Sequence, residues 1–244
     1  MADTGPVAGA TTPTRTDRRQ TIVFDDVSVV REGRIALRRV TLRLEERRIG
    51  IVGLNGSGKS TLLKTIIGLV RPSEGRISVD GRDAVGEARE VRAQTGFLFQ
   101  NPDSQIVFPI VGEDLAFGLK NHGFSRKETA ERVATALARL GIGALAEQRI
   151  HELSGGEKQL VALAGVLAIE PKTVLFDEPT SQLDLRNRNR IREVLARLPE
   201  QAIVASHDLD LLADFDRVLV IEAGRIVFDG AAAEALRIHV ARAS

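Results

Sequence analysis

Eight consecutive residues constrain this chain more than any others: Gly53-Leu54-Asn55-Gly56-Ser57-Gly58-Lys59-Ser60. They fit the pattern G-x-x-x-x-G-K-[S/T] at every fixed position. The apolar run Ile49–Leu54 precedes and partly overlaps them, and it reads as a strand buried on both faces of a parallel sheet. Thr61–Leu69 follows and reads as a helix. Strand, glycine loop, helix is the context this pattern needs to hold phosphate. Glycines let backbone N–H groups turn inward without a Cβ clash. The helix start adds unpaired N–H groups and the positive end of a dipole. Asn55, Gly56, Ser57, Gly58 and Thr61 then line a cradle for a polyphosphate, Lys59 reaches the β- and γ-phosphates, and the Ser60 hydroxyl can ligate Mg²⁺.

The rest of the pattern agrees with a nucleotide-binding α/β fold. Thr21–Phe24, Val27–Val30, Val40–Glu45 and Arg76–Asp80 have strand character with turn residues between them. Residues 112–150 look mainly helical, with a capping box at Ser125–Glu128 and glycines at 141 and 143 to stop the helix. A helix is expected from Ser154 to Ala168, a strand over Lys172–Phe176, a helix over Arg188–Leu198 and a strand over Ala202–Ser206. Leu209–Ala213 opens a further helix, and Val218–Ile221 with Arg225–Phe228 reads as a terminal hairpin. Strands alternating with helices imply a mainly parallel sheet. Residues 1 to about 19 are Ala, Gly, Thr, Pro and Arg, and read as a disordered arm before one domain over 20–244.

Composition removes several alternatives. The 244 residues carry 34 Lys and Arg against 33 Asp and Glu, so no strong field calls for nucleic acid. Cys is absent, which excludes disulfides, thiolate metal sites and cysteine nucleophiles. Trp and Tyr are absent, so base-stacking platforms and interfacial aromatic belts are missing. The longest apolar run, Leu160–Ile169, has ten residues, whereas a membrane span needs about 20. No apolar stretch follows Met1 to suggest a secretory signal, and a cytoplasmic location is expected.

A second chemical element is Thr173-Val174-Leu175-Phe176-Asp177-Glu178, an apolar strand ending in two acids. Asp177 is placed to hold Mg²⁺ with Ser60, neutralising charge in phosphoryl transfer. Glu178, one residue on, is placed to orient or deprotonate a water. A third is Leu153-Ser154-Gly155-Gly156-Glu157: Ser154 reads as an N-cap, and the two glycines leave N–H groups open for an anion. It lies 95 residues after Lys59 and 23 before Asp177.

In this order and spacing the chain resembles the ATP-binding cassette (ABC) ATPases over residues 21 to about 230. The resemblance implies a phosphate-loop NTPase fold with an antiparallel β subdomain and a helical subdomain at about 100–168. It also implies ATP and Mg²⁺ as ligands. By resemblance, Gln100 is the glutamine that meets the γ-phosphate and metal, and Ser181-Gln182-Leu183-Asp184 is the D-loop with Asp184 at its acidic position. His207, after Val204-Ala205-Ser206, is the switch histidine for the γ-phosphate. A head-to-tail dimer is implied, in which Ser154, Gly155, Gly156 and Glu157 serve the ATP held by the other subunit. Two departures stand out. The usual adenine-stacking aromatic is missing, and Arg31 falls where a Tyr is common; its guanidinium either stacks on the base or is simply solvated. Leu160 follows Gln159 where an Arg is frequent.

Gln100-Asn101-Pro102-Asp103-Ser104-Gln105 and Val111–Gly118 are similar to the ATPases of energy-coupling-factor (ECF) importers for vitamins and transition-metal ions. Glu46–Gly53 and Ser206–Leu212 are similar to those serving biotin, with cobalt or nickel next. This likeness implies a peripheral subunit on the cytoplasmic face of the inner membrane. Its partners would be a transmembrane coupling subunit and a separate substrate-capture membrane protein, with no nucleic acid. A cassette acting on DNA or ribosomes is the distant alternative; the interval before Ser154 has no long coiled coil, and only one cassette is present. Asp103, Ser104 and Gln105 are expected at the partner contact: Pro102 and Pro109 would hold the segment extended, with Ile106, Val107 and Phe108 either offered to the partner or tucked into the core.

Overall fold

The computed structural model describes residues 19–181 and 183–243. Nearly all of the arm expected at the start, together with Gln182 and Ser244, lies outside the described residues. Two sheets organise the rest. In the first, β1 (Ile22–Arg31) pairs antiparallel with β2 (Arg34–Leu44) and with β3 (Glu74–Val79), and a two-residue strand β4 (Arg82–Asp83) closes the edge. The second sheet contains β5 (Arg48–Val52), β6 (Thr95–Leu98), β7 (Thr173–Asp177), β8 (Gln201–Ala205), β9 (Arg217–Glu222) and β10 (Arg225–Gly230). Its order is β10-β9-β5-β8-β7-β6, parallel throughout except for the β9–β10 hairpin.

Strands β5, β6, β7 and β8 are buried throughout and β9 all but its ends, as their near-continuous apolar runs require, whereas the outer strand β10 alternates exposed and half-buried residues. Ile49, Ile51, Leu175, Ile203, Leu219 and Ile221 face one core with the first sheet and α1 (Lys59–Ile66). Val52, Val174, Phe176, Val204, Val218 and Val220 face the other core. That second core is covered by α3 (Val111–Asn121), α4 (Arg126–Arg139), α5 (Gly155–Ala168), α6 (Leu185–Arg197) and α8 (Ala232–Ala243). Two short helices, α2 (Ala88–Gln94) and α7 (Leu209–Leu212), complete the order. The fold is therefore the expected α/β one: a phosphate-loop core sheet, an antiparallel β layer and a helical segment between β6 and β7.

The structure corrects three expectations. The two strands expected at Thr21–Phe24 and Val27–Val30 are one, β1, interrupted by a bulge at Asp25–Asp26. Asp26 sits at φ 47°, held by its N–H to Thr41 Oγ1 at 3.2 Å and by a bidentate Arg39 at 2.9 and 3.1 Å. Strand β2 starts six residues earlier than the expected Val40, after a tight turn at Glu32-Gly33 with both φ positive. The segment after Gln100 is also not extended throughout: Pro102–Ser104 form a 3₁₀ turn, with Asn101 Oδ1 accepting from Asp103 N–H at 3.0 Å. Proline fits there because a first-turn N–H has no helical partner to lose. α2 and α8 were not anticipated in the sequence.

Candidate functional site

The phosphate loop connects β5 to α1 at the carboxyl end of the second sheet. Two of its glycines are forced by close approach. A Cβ on Gly53 would collide with the Ile221 carbonyl, and one on Gly58, which has φ 115°, would lie 2.6 Å from Ala36 O. The turn after β9 braces the loop from behind, with Gly224 N–H donating to Ser57 O at 2.9 Å. Lys59 is 6% exposed, and its Nζ donates to Gly53 O at 2.7 Å and Leu54 O at 3.3 Å. The loop thus wraps its own lysine. Ser57 Oγ is buried with no hydrogen-bond partner, an orphan donor inside the cradle that an anion would satisfy.

Strand β7 brings the two acids to this loop. Ser60 Oγ donates to Asp177 Oδ1 at 2.7 Å, and Lys64 Nζ lies 3.9 Å from Asp177 Oδ2. Burial pushes the Asp177 carboxyl above its ordinary value, against the pull of Ser60 and Lys64. A half-buried hydroxyl beside a buried carboxylate makes a pair of hard oxygen donors suited to Mg²⁺, which would keep waters and phosphate oxygens as its remaining ligands. Gln100, the third ligand expected from the resemblance, is exposed after β6 and makes no described hydrogen bond.

Glu178 is 6% exposed and occupies the left-handed backbone region at φ 52°. Three contacts hold it there. Its N–H donates to Ala205 O at 2.8 Å, Oε2 lies 2.7 Å from His207 Nδ1, and Oε1 lies 3.6 Å from Lys59 Nζ. His207 N–H also reaches Oε2 at 3.2 Å. Residues from three distant stretches therefore converge: 53–60, 177–178 and 207.

Other expected site residues lie apart from this cluster. Ser154 caps α5 in a full capping box, accepting from Glu157 N–H at 3.3 Å while Glu157 Oε2 takes the Ser154 N–H at 2.9 Å. The Ser154 hydrogen bonds hold the Glu157 carboxyl below its usual range. Among the described residues no hydrogen bond or ion pair links Ser154, Gly155, Gly156 or Glu157 to the phosphate loop. A Cβ on Gly155 would meet nothing within 4 Å, whereas one on Gly156 would collide with the Asn187 side chain. Asp184 caps α6 by accepting from Asn187 N–H at 2.8 Å. Arg31, at the end of β1, is exposed.

The expected partner segment divides. Asp103 and Ser104 are exposed, but Gln105 turns inward: Oε1 accepts from Phe99 N–H and Nε2 donates to Ala162 O, both at 3.3 Å. Asp103 is bound to Lys158 of α5 at 2.9 Å. Ile106 packs on the helical core, Phe108 stacks against Phe117 at 4.8 Å, and Val107 stands out at 72% exposed. Sequence reasoning missed Lys158, Asn187 and Asp208. Their long-range contacts, Lys158 with Asp103, Asn187 with Gly156 and Asp208 with Thr180, carry no local signal; the Asp208 cap on Leu211 is local.

A phosphate cradle, a hydroxyl–carboxylate pair for a metal and a carboxylate–imidazole pair beside them define a nucleotide triphosphatase of the phosphate-loop class. Comparison with known proteins narrows this. The family model described as "ABC transporter" matches residues 37–181. The biotin transport ATP-binding protein BioM of Rhizobium etli is 50% identical over 215 residues, covering 88% of this chain and 96% of that protein. CbiO1 of Clostridium perfringens, described as part of the ABC transporter complex CbiONQ, superposes with a TM-score of 0.79 at 33% identity, covering 91% of this chain and 93% of that one. The ATP-binding cassette MJ0796, in a dimeric post-hydrolysis state with ADP and Pi, gives 0.78 at 26% identity, covering 86% and 98%. The chain belongs to the ABC transporter family, as its ATP-hydrolysing subunit.

Proposed function

We propose that this subunit energises an ECF-type importer, with biotin as the cargo, from the cytoplasmic face of the inner membrane. The names of the similar proteins, BioM and CbiO1, support this class, as does the segment Gln100–Gln105. No helix among the described residues is long and apolar enough to cross a membrane, so the cargo path belongs to partner proteins. The loop from Asn55 to Thr61 would hold the ATP phosphates, and Ser60, Asp177 and Gln100 would hold Mg²⁺, which would supply neutralisation of phosphate charge.

The observation that carries the catalytic reading is the His207–Glu178 pair, 2.7 Å apart beside Lys59. Glu178 accepts a hydrogen bond from the attacking water and takes up its proton as the γ-phosphorus–oxygen bond breaks. His207, on the exposed side, reaches the γ-phosphate. Lys59 holds the phosphates and steadies the charge on Glu178. The open face of Gly155 fits a second role: the start of α5 meets the triphosphate of the other subunit in a head-to-tail dimer, with Asp184 at the seam. A cleft of about 420 Å³ between the core sheet and the helical segment suits a coupling-subunit helix. Leu69, Phe99, Val107 and Phe117 give it an apolar wall, and Arg92 and Asp114 are among its other lining residues.

The test is co-expression of this chain with candidate membrane partners, followed by uptake of labelled biotin, cobalt and nickel. Biotin uptake that disappears with Glu178→Gln supports the reading. Metal uptake alone moves the cargo to a transition-metal ion, and failure to associate with any of the candidate membrane partners, with no uptake of any of the three, rejects an importer.

A further inference from the structure

We infer that Asp208 is a positioning residue for ATP hydrolysis, fixing the loop that carries His207 against the turn that carries Glu178. The inference rests on the reading of Glu178 and His207 as the pair that handles the water and γ-phosphate. The side chain of His207 is 63% exposed, and Glu178 is its described partner. An imidazole so open to solvent is held in place mainly through its backbone. On one side Ser206 is fully buried and its N–H donates to Ile51 O at 3.1 Å. On the other side stands Asp208.

The Asp208 side chain is 8% exposed and gathers four residues from three segments of the chain. Oδ1 accepts from Arg192 Nη2 at 2.8 Å and from Leu211 N–H at 3.2 Å. Oδ2 accepts from Thr180 Oγ1 at 3.4 Å and lies 3.8 Å from Arg188 Nε. Thr180 is buried two residues after Glu178, and Arg188 and Arg192 lie on α6, which Asp184 caps. Capping α7 needs only the Leu211 contact. The extra ligands instead lock the His207 loop, the Glu178 turn and α6 into one body. Nε of both arginines is buried without a hydrogen-bond partner. That is a cost, accepted where both guanidinium groups are brought to one carboxylate.

The experiment is a double-mutant cycle in the full chain, with steady-state ATPase kinetics and equilibrium binding of a fluorescent ATP analogue. Asp208→Asn keeps the shape and weakens the grip of the arginines. We expect kcat to fall about tenfold or more, with KM and analogue affinity within about twofold. Added to His207→Ala, the same substitution should cost less than about twofold, because it acts through that residue. A kcat for Asp208→Asn within twofold of wild type overturns the inference, and so does an equal loss in both backgrounds, the mark of a purely structural role. If Asp208→Asn does not fold, Arg192→Gln takes its place in the cycle with the same two criteria and a smaller expected loss, about threefold. His207→Ala turning over at the wild-type rate would reject the catalytic pair itself, a result distinct from failure at Asp208 alone.

Discussion

Glu178 sits in a backbone region that costs a non-glycine residue about 1 kcal/mol or more, and its N–H, both carboxylate oxygens and its neighbours hold it there. Turn and bulge residues such as Glu32 and Asp26 share that region, so it is the convergence of Lys59 and His207 on the buried carboxylate that sets Glu178 apart. Glu178→Gln keeps the volume and the amide can still meet His207, but the group no longer accepts a proton. Turnover is expected to fall by about 10²–10⁴-fold while MgATP still binds. Measured hydrolysis within about threefold of wild type would remove the base assignment. Residues of this kind were legible in the sequence because phosphate and metal chemistry fixes their spacing: Gly53 to Ser60 is one loop, and Asp177 and Glu178 end one strand. Asp208 and Asn187 were not legible. The contacts of Asp208 with Arg192 and Thr180 span 16 and 28 positions, and no short pattern encodes such distances.

At the scale of the element, α5 shows how two adjacent glycines answer to different demands. The capping box at Ser154 and Glu157 was readable, since its members are three residues apart and the apolar run follows. What the glycines avoid was not. Gly156 lies against the Asn187 side chain, so a methyl there displaces a residue whose backbone is tied to Asp184. Gly155 faces open space. Within this chain, Gly155→Ala should be neutral or slightly stabilising, because alanine favours a helix over glycine by up to about 1 kcal/mol. Gly156→Ala should unfold at lower denaturant, at least about 1 kcal/mol below Gly155→Ala. If the open face of Gly155 receives a triphosphate from another subunit, Gly155→Ala should still impair MgATP-dependent dimerisation. Equal stability of the two variants would remove the packing argument, and unimpaired dimerisation of Gly155→Ala the binding one. The bulge in β1 escaped the sequence for a related reason: Asp25-Asp26 reads as a turn, and only Thr41 and Arg39 on the neighbouring strand turn it into a kink within one strand.

For the whole molecule, the proposed head-to-tail reading makes a subunit incomplete alone. The phosphate loop, Asp177, Glu178 and His207 are gathered in one chain, while the start of α5 stands apart from them with its glycine face free. In a covalently linked dimer, Lys59→Ala in one half and Gly155→Asp in the other damage the same interface and spare the second. Both changes in one half damage each interface once. The first arrangement should keep more ATPase than the second, and equal residual rates would contradict shared sites. Coupling to a membrane partner can be tested at the cleft beside the helical segment. Asp103 is a poor probe there, because its ion pair with Lys158 ties the segment to α5 and its loss would disturb the subunit internally. Val107 is the better one. Its N–H and that of Phe108 are held by Asp114 Oδ1 at 2.7 and 2.9 Å, so the backbone keeps its course whatever the side chain. The side chain is 72% exposed on the cleft wall and makes little contact of its own. Val107→Asp should therefore change stability by no more than about 0.5 kcal/mol and leave ATP binding and turnover of the free subunit within about twofold. In the cleft it sets a charge where an apolar helix would seat, and an unpaired carboxylate buried there costs several kcal/mol. Co-purification with the coupling subunit, and cargo uptake with it, should be lost. A Val107→Asp subunit that still assembles and drives uptake would place the membrane contact elsewhere on the molecule.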